Sequence, residues 1–287
     1  MSFFKTRGDR DFVGVCMKQH FKLTAAVSTE ERHRYMKFAI QTGLPRIQRK
    51  EIDETASLSI VAYGPSLQDT WMNIKHPILT MSGSLRFLAE RGVIPEFHCD
   101  MDPRMQKVKH INPPIPGVHY LMASVCHPQT WKILKYQNVS IWHTWSAEST
   151  EEWLQKNDPG SLLIRGGSHI GVTSLQIGGL LGFRHFEIYG MDGSIKEGKR
   201  HAGPHYGHSQ GGVTWDAGRV TYQTSRIMSN GVVDVINAFR LYPMFGVFHG
   251  EGLQQALLDE EYDLDNVALE GTPKANMVRG YKARIYG

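Results

Sequence analysis

A chain of 287 residues with 41% apolar side chains can bury a sizeable core and is too apolar to stay disordered. No apolar run reaches the roughly 20 residues of a membrane-spanning helix, and the charged opening from Met1 to Asp11 is not a secretory leader. The net charge of +4 suits a phosphate-bearing ligand as well as nucleic acid. The widely spaced Cys16, Cys99 and Cys126 have no metal-ligand spacing and read as reduced thiols of a cytoplasmic protein.

Residues 1–50 read as an accessory segment ending in the basic run Arg46 to Lys50. Its clear element is a helix from Thr29 to Thr42, started by Ser28 with Glu31 three residues on, the pattern of a capping box. Residues 51–260 then alternate short apolar runs with helical patterns, and 261–287 form a tail. Strands are predicted at Leu58–Tyr63, Ile78–Met81, Phe97–Met101, His119–Ser124, Val139–His143, Leu162–Arg165, Phe186–Tyr189 and Met244–Phe248. Helices are predicted at Leu85–Arg91, Glu151–Gln155, Val172–Leu181 and Arg219–Leu241. This alternation predicts one α/β domain, a mostly parallel, open, Rossmann-like sheet with helices on both faces.

Polar groups that follow apolar strands are the candidates for chemistry, because ligands of open α/β sheets sit outside the strand carboxyl ends. After the first strand, Gly64-Pro65-Ser66 turns sharply and offers amides and a hydroxyl to phosphate or ribose oxygens, although the same tripeptide also makes ordinary turns. Asp100 and Asp102 end the third strand. They can share a divalent cation, face a nucleotide, or simply be a polar strand end. Arg165, Ser168 and Gly171 lead into an apolar helix whose positive N-terminal end suits an anion, or whose glycines serve close packing. The densest stretch is Gly190-Met191-Asp192 followed by His201, His205 and His208, where an acid and several imidazoles leave one strand. A solvated histidine-rich loop is the bland alternative there.

Four of these motifs, in order, carry a resemblance. Gly64-Pro65-Ser66-Leu67, Gly92-Val93-Ile94-Pro95-Glu96 leading to Asp102-Pro103, Gly171-Val172 with Leu181-Gly182-Phe183, and Gly190-Met191-Asp192 resemble the family of the archaeal 6-hydroxymethylpterin diphosphokinase. That family includes the motility accessory factors linked to flagellin glycosylation. The stretch Leu58 to Leu258 is also distantly similar to the bacterial sialyltransferases of lipooligosaccharide synthesis, in which Gly207-His208-Ser209 would be the segment carrying the general base. Two departures stand out. Ala62-Tyr63 precede the turn where a small or amide residue is usual, and Lys196, Lys199 and Arg200 lie where those sialyltransferases place tyrosines.

The resemblance implies a nucleotide-dependent transferase. In it Gly64, Pro65, Ser66, Asp102, Arg165, Ser168 and Gly171 would hold the nucleotide. His208 would be the base with His205 or His201 as substitutes, and Asp192 would position the ligand or a histidine. Transfer of a sugar from a nucleotide-sugar donor to an acceptor hydroxyl on a glycan, protein or modified base is the leading expectation. Diphosphate transfer from ATP to a hydroxymethylpterin-like alcohol is the alternative; it would need Mg2+ at Asp100 and Asp102. A nucleotide-binding protein without catalysis is a third reading. The glycine-rich loop from Lys196 to Gln210 is expected to close over the ligand.

Overall fold

The computed structural model describes residues 25–145, 148–164, 166–204, 212–217 and 220–258. Of the expected site, Arg165, His205 and His208 lie outside them. In chain order the elements are α1 (Thr29–Gln41), β1 (Ser57–Val61), α2 (Leu67–Thr70), β2 (Ile78–Met81), α3 (Ser84–Ala89), β3 (Phe97–Asp100), β4 (His119–Ala123), α4 (Pro128–Ile133), β5 (Asn138–Thr144), α5 (Glu148–Asn157), β6 (Leu163–Ile164), α6 (Ile170–Leu180), β7 (His185–Tyr189), β8 (Gly212–Ala217), β9 (Val220–Ser225), α7 (Arg226–Leu241) and β10 (Phe245–His249). Short 3₁₀ helices span Trp71–Asn73 and Met105–His110.

Eight strands form one sheet in the order β10-β7-β1-β2-β3-β4-β5-β6, and every pair in it is parallel. Such strands are covered on both faces, so they are written as near-continuous apolar runs rather than as alternation; β1 is buried at every residue after Ser57. Alternate side chains separate the two layers. Leu58, Ile60, Phe186 and Ile188 join Val172, Leu175 and Ile177 of α6 in the main core. Val61, Ile78 and Tyr189 face the other way, onto Phe87 and Leu88 of α3. Gly178 sets how closely α6 lies on the sheet, because a Cβ there would stand 2.6 Å from the Phe186 ring and 3.1 Å from Leu58.

The α1 start follows the sequence in part. Ser28 Oγ accepts from the Glu31 amide at 3.1 Å, while the Glu31 carboxylate turns to Tyr35 Oη at 2.7 Å. Met36, Ala39 and Ile47 enter the main core, and residues 45–47 extend the sheet beside β5 through Ile47 N to Ile141 O and Ile141 N to Pro45 O, both 2.8 Å. Arg46 then meets Asp158 at 2.6 Å. The same Asp158 oxygen pairs with His143 Nε2 at 2.8 Å, and His143 Nδ1 with Ser124 Oγ at 2.8 Å. This order of groups resembles a nucleophile triad, yet Ser124 and His143 are both 0% exposed. A nucleophile must meet its substrate, so the chain of bonds clasps the sheet edge.

One expectation is corrected. The stretch Arg219–Leu241 is not helical throughout: 220–225 pair with 212–217 as an antiparallel hairpin, and α7 begins at Arg226, capped by Ser225 Oγ. The pattern Val213-Thr214-Trp215 and Val220-Thr221-Tyr222, rich in β-branched and aromatic residues on either side of a glycine, carries that signal. The hairpin lies outside the main sheet and packs on α7 through Trp215, Ala217 and Tyr222.

Candidate active site

Chain order runs outward from β1 through β2 to β6 on one side, whereas β7 and β10 return to the other side of β1. The crevice between the exits of β1 and β7 is therefore the topological switch point, the position at which open α/β sheets bind ligands. The two exits stay paired beyond the strands, with Ala62 N to Tyr189 O at 2.8 Å and Gly64 N to Gly190 O at 2.7 Å. Ser66 N then donates to Asp192 Oδ2 at 2.8 Å, and Ser66 Oγ donates to Asp192 Oδ1.

This contact leaves no space for added atoms. A Cβ at Gly64 would lie 2.5 Å from Gly190 O and 2.6 Å from Asp192 Oδ2. From the β10 exit, Gly250 and Gly252 press equally closely on Ser66 and on the Asp192 backbone. Burial dominates the electrostatics and pushes the Asp192 carboxyl up to about 6, against the lowering effect of the Ser66 hydrogen bonds. The amides of Gly64 and Ser66 are thus committed to the β7 exit, with Pro65 buried between them. The turn acts as a rigid floor of the crevice.

The loop that leaves β7 crosses over the β1 exit. Ala202 N donates to Tyr63 O at 3.0 Å, Gln68 Nε2 donates to Ala202 O, and Tyr63 Oη donates to Pro204 O at 3.2 Å. The crossing stacks His201 on Tyr63, centroids 5.7 Å apart and planes at 17°. Tyr63 also stands edge-on to His110 at 6.5 Å. Desolvation, and then the charge of Lys107, hold His201 down at about 4; the same causes hold His110 at about 3. Both imidazoles are neutral at pH 7, and the same burial and positive charge weaken them as bases until a ligand's negative charge offsets them.

Beside them lie the carboxylates at the β3 exit. Asp100 Oδ1 accepts from the amides of Met101 at 2.7 Å and Asp102 at 3.0 Å. Burial, then the neighbouring Asp102 charge, raise Asp100 to about 6. Asp102 Oδ1 accepts from Arg104 N at 3.0 Å and Nε at 2.9 Å. Its Oδ2 pairs with Arg104 Nη2 at 2.5 Å and Lys107 Nζ at 3.9 Å. Lys107 is buried, and desolvation lowers its pKa against the pull of both carboxylates. Neither Arg104, Lys107 nor His110 was singled out in the sequence. Their spacing of three residues is the available signal, since a 3₁₀ turn brings residues i and i+3 onto one side.

The start of α6 completes the edge. His169 Nδ1 caps the helix by accepting from Gly171 N at 2.9 Å, and Ser168 N donates to Asp234 Oδ2 of α7 at 2.7 Å. A Cβ at Gly171 would stand 3.4 Å from Met191 Cε, and Thr173 Oγ1 contacts Met101 Sδ at 3.7 Å. The exits of β1, β3 and β7 and the α6 start therefore share one edge of the sheet. Among the described residues, no group of three or more His, Cys, Asp or Glu side chains is arranged to hold a metal ion, and no helix is long and apolar enough to cross a membrane.

An open parallel sheet with its polar groups gathered at a switch point is the architecture of a ligand-binding, Rossmann-like α/β protein. The chain matches the family described as 6-hydroxymethylpterin diphosphokinase MptE-like over residues 35–198, more than half its length, and it belongs to that family. Among solved structures it is similar to the MAf glycosyltransferase from Magnetospirillum magneticum AMB-1, with a TM-score of 0.55 and 15% identity over 88% of this chain. The match spans 42% of that protein's length, and at this identity it shows the shared fold. No curated protein sequence matches the chain.

Proposed function

We propose that the chain transfers a group from the phosphate of a nucleotide donor to an acceptor hydroxyl, and that the donor is a nucleotide sugar. The observation that carries the proposal is the meeting of Tyr63, His201, Lys107 and the Asp100–Asp102 pair beside the switch point. Such a transfer needs a held phosphate, a base and exclusion of water. The acceptor oxygen forms a bond to the anomeric carbon, and the bond from that carbon to the donor phosphate breaks with its electron pair left on the phosphate oxygen. The acceptor proton passes to an imidazole. We assign this role to His201, stacked on Tyr63, or to His208 or His205 further along the chain, and the crossing of residues 201–204 over Tyr63 would limit water. The floor formed by Gly64, Pro65, Ser66 and Asp192 fixes where the nucleotide lies. The α6 start with Ser168 and Gly171 flanks it, and Arg165, which precedes that start in the sequence, would add a cation for the phosphate.

Diphosphate transfer from ATP to a hydroxymethylpterin-like alcohol is the second reading, favoured by the family description. The two separate on products. Purified protein is incubated with CMP-, UDP- and GDP-sugars, and with ATP plus hydroxymethylpterin, with and without Mg2+. Release of free nucleotide with transfer to an added alcohol supports the first reading, and AMP with a pterin diphosphate supports the second. Neither product, together with no nucleotide-induced rise in melting temperature, removes both. If His201 or His208 is the base, its alanine variant loses about 10²- to 10⁴-fold in turnover with nucleotide affinity retained.

A further inference from the structure

Magnesium is what the diphosphate-transfer reading implies at Asp100 and Asp102, and the residues present do not fit it. Mg2+ takes oxygen ligands in near-ideal octahedral geometry, commonly one or two carboxylates together with substrate phosphates. Here both Asp102 oxygens are engaged, by the backbone and guanidinium of Arg104 and by the Lys107 ammonium. One Asp100 oxygen is held by two backbone amides. Two carboxylates already face two fixed cations, so the pair is neutralised before any ion arrives, and a dication placed between them would meet Arg104 and Lys107 as like charges.

We propose that the chain works without a divalent metal, and that Lys107 stands beside Asp100 and Asp102 in the place such an ion would take. The inference rests on the transferase reading for its phosphate ligand. Lys107 lies on the Met105–His110 turn and is 7% exposed. It is held by Asp102 and faces Asp100, Arg104, His110 and His201. When the bond to the donor phosphate breaks, the electron pair remains on a phosphate oxygen. A desolvated ammonium fixed nearby meets that charge without reorganising, which is the function a bound cation would otherwise serve. Lys107 bears a single charge and opens no coordination sites, so the acceptor proton still leaves to an imidazole.

The test combines metal binding, read without any substrate, with donor turnover. Mn2+, a paramagnetic stand-in for Mg2+, is titrated into the full chain and followed by electron paramagnetic resonance. The wild type is expected to show no binding at this pair. Lys107→Met uncovers the carboxylates and should tighten Mn2+ binding at least tenfold, while Lys107→Arg, which keeps the cation, should not. Affinities for CMP, UDP and ATP should agree within about twofold in EDTA and in Mg2+. Turnover of the donor found active should fall about a hundredfold in Lys107→Met and recover in part with Mn2+. Stoichiometric Mn2+ binding by the wild type that Asp102→Asn abolishes would overturn the proposal. So would a tenfold loss of nucleotide affinity in EDTA, or a Lys107→Met protein that neither gains Mn2+ nor loses turnover. If Lys107→Met does not fold, the wild-type titration and Lys107→Arg decide. If no nucleotide binds in either buffer the transferase reading fails, and the Mn2+ titration still answers the metal question.

Discussion

At the exits of β1 and β7 the contacts are short, buried and between backbone and two small side chains, Ser66 and Asp192, with glycines closing in from three segments. At the exit of β3 the contacts are between long charged side chains, Arg104 and Lys107 on Asp102, and part of the cluster is open to water. The first region holds one geometry and has no slack. The second is held by ion pairs in place of close packing, so what a ligand phosphate would meet there is charge rather than shape. An active site needs both: a floor that does not move and charges that respond.

The comparison breaks most visibly if atoms are added to the floor. Gly64→Ala places a methyl 2.5 Å from a carbonyl oxygen and 2.6 Å from a carboxylate, neither of which can withdraw without undoing the β1–β7 pairing. A loss of about 3 kcal/mol or more is expected in urea unfolding. Arg104→Ala, in the responsive region, removes charge-assisted bonds at a side chain that is 30% exposed and should cost about 1–2 kcal/mol. Equal losses in the two variants would mean that the regions are not built differently.

Asp192 sharpens the point through pH. Its carboxyl is raised from 3.8 to about 6 by burial, so between these values the folded state binds more protons than the unfolded state. The contribution is fully present below about 3.8 and is lost as pH rises through 6, a change on the order of 2–3 kcal/mol. Asp100 acts in the same sense. His98, His110 and His201, held at about 3 to 4 by desolvation, act in the opposite sense as pH falls below 6.5. The observable is therefore a difference between variants. Asp192→Asn keeps an acceptor for the Ser66 amide but does not titrate, so relative to the wild type it should gain stability between pH 4.5 and 6.5. Asp192→Ala leaves the Ser66 hydroxyl and amide unpaired and should lose about 2–3 kcal/mol at pH 7. Parallel stability–pH curves for wild type and Asp192→Asn would show that the carboxyl is not perturbed by burial.

These differences explain what the sequence could tell. All eight strands of the main sheet were legible as short apolar runs, most continuous for inner strands such as β1 and β2 that are buried on both faces, and the motifs were legible as polar residues at the ends of such runs. Their meeting at one edge follows from parallel topology. The pairing of Ser66 with Asp192, 126 residues apart, was not legible, since either residue could have faced a ligand. Nor was the stack of Tyr63 on His201: Tyr63 read as a departure from the family pattern, and only the crossing loop makes it a platform. Lys107 carries no mark of its own in the sequence, because its burial and its ion pair with Asp102 arise only in the folded chain. The hairpin of 212–217 with 220–225 was missed, because its second strand runs straight into α7 and helical periodicity spread backwards across the boundary.

The smallest expected effect concerns what holds the crossing loop. Two kinds of contact are present: Tyr63 Oη to Pro204 O at 3.2 Å, within the partly buried stack, and the ion pair of Lys196 with Asp69 at 3.4 Å, whose side chains are 48% and 70% exposed. Tyr63→Phe removes only a hydroxyl and should cost about 1 kcal/mol, with a raised KM for the donor as the loop opens. Lys196→Ala should change stability by no more than about 0.5 kcal/mol, because water and salt screen an exposed pair and ordering a long side chain consumes most of the gain. For a chain of this size that is a shift of less than about 2 °C in melting temperature, vanishing at high salt. If Lys196→Ala instead lowers Tm more than Tyr63→Phe does, the loop is tethered by its charges. The crossing would then belong with the responsive β3 region rather than with the fixed floor beneath it.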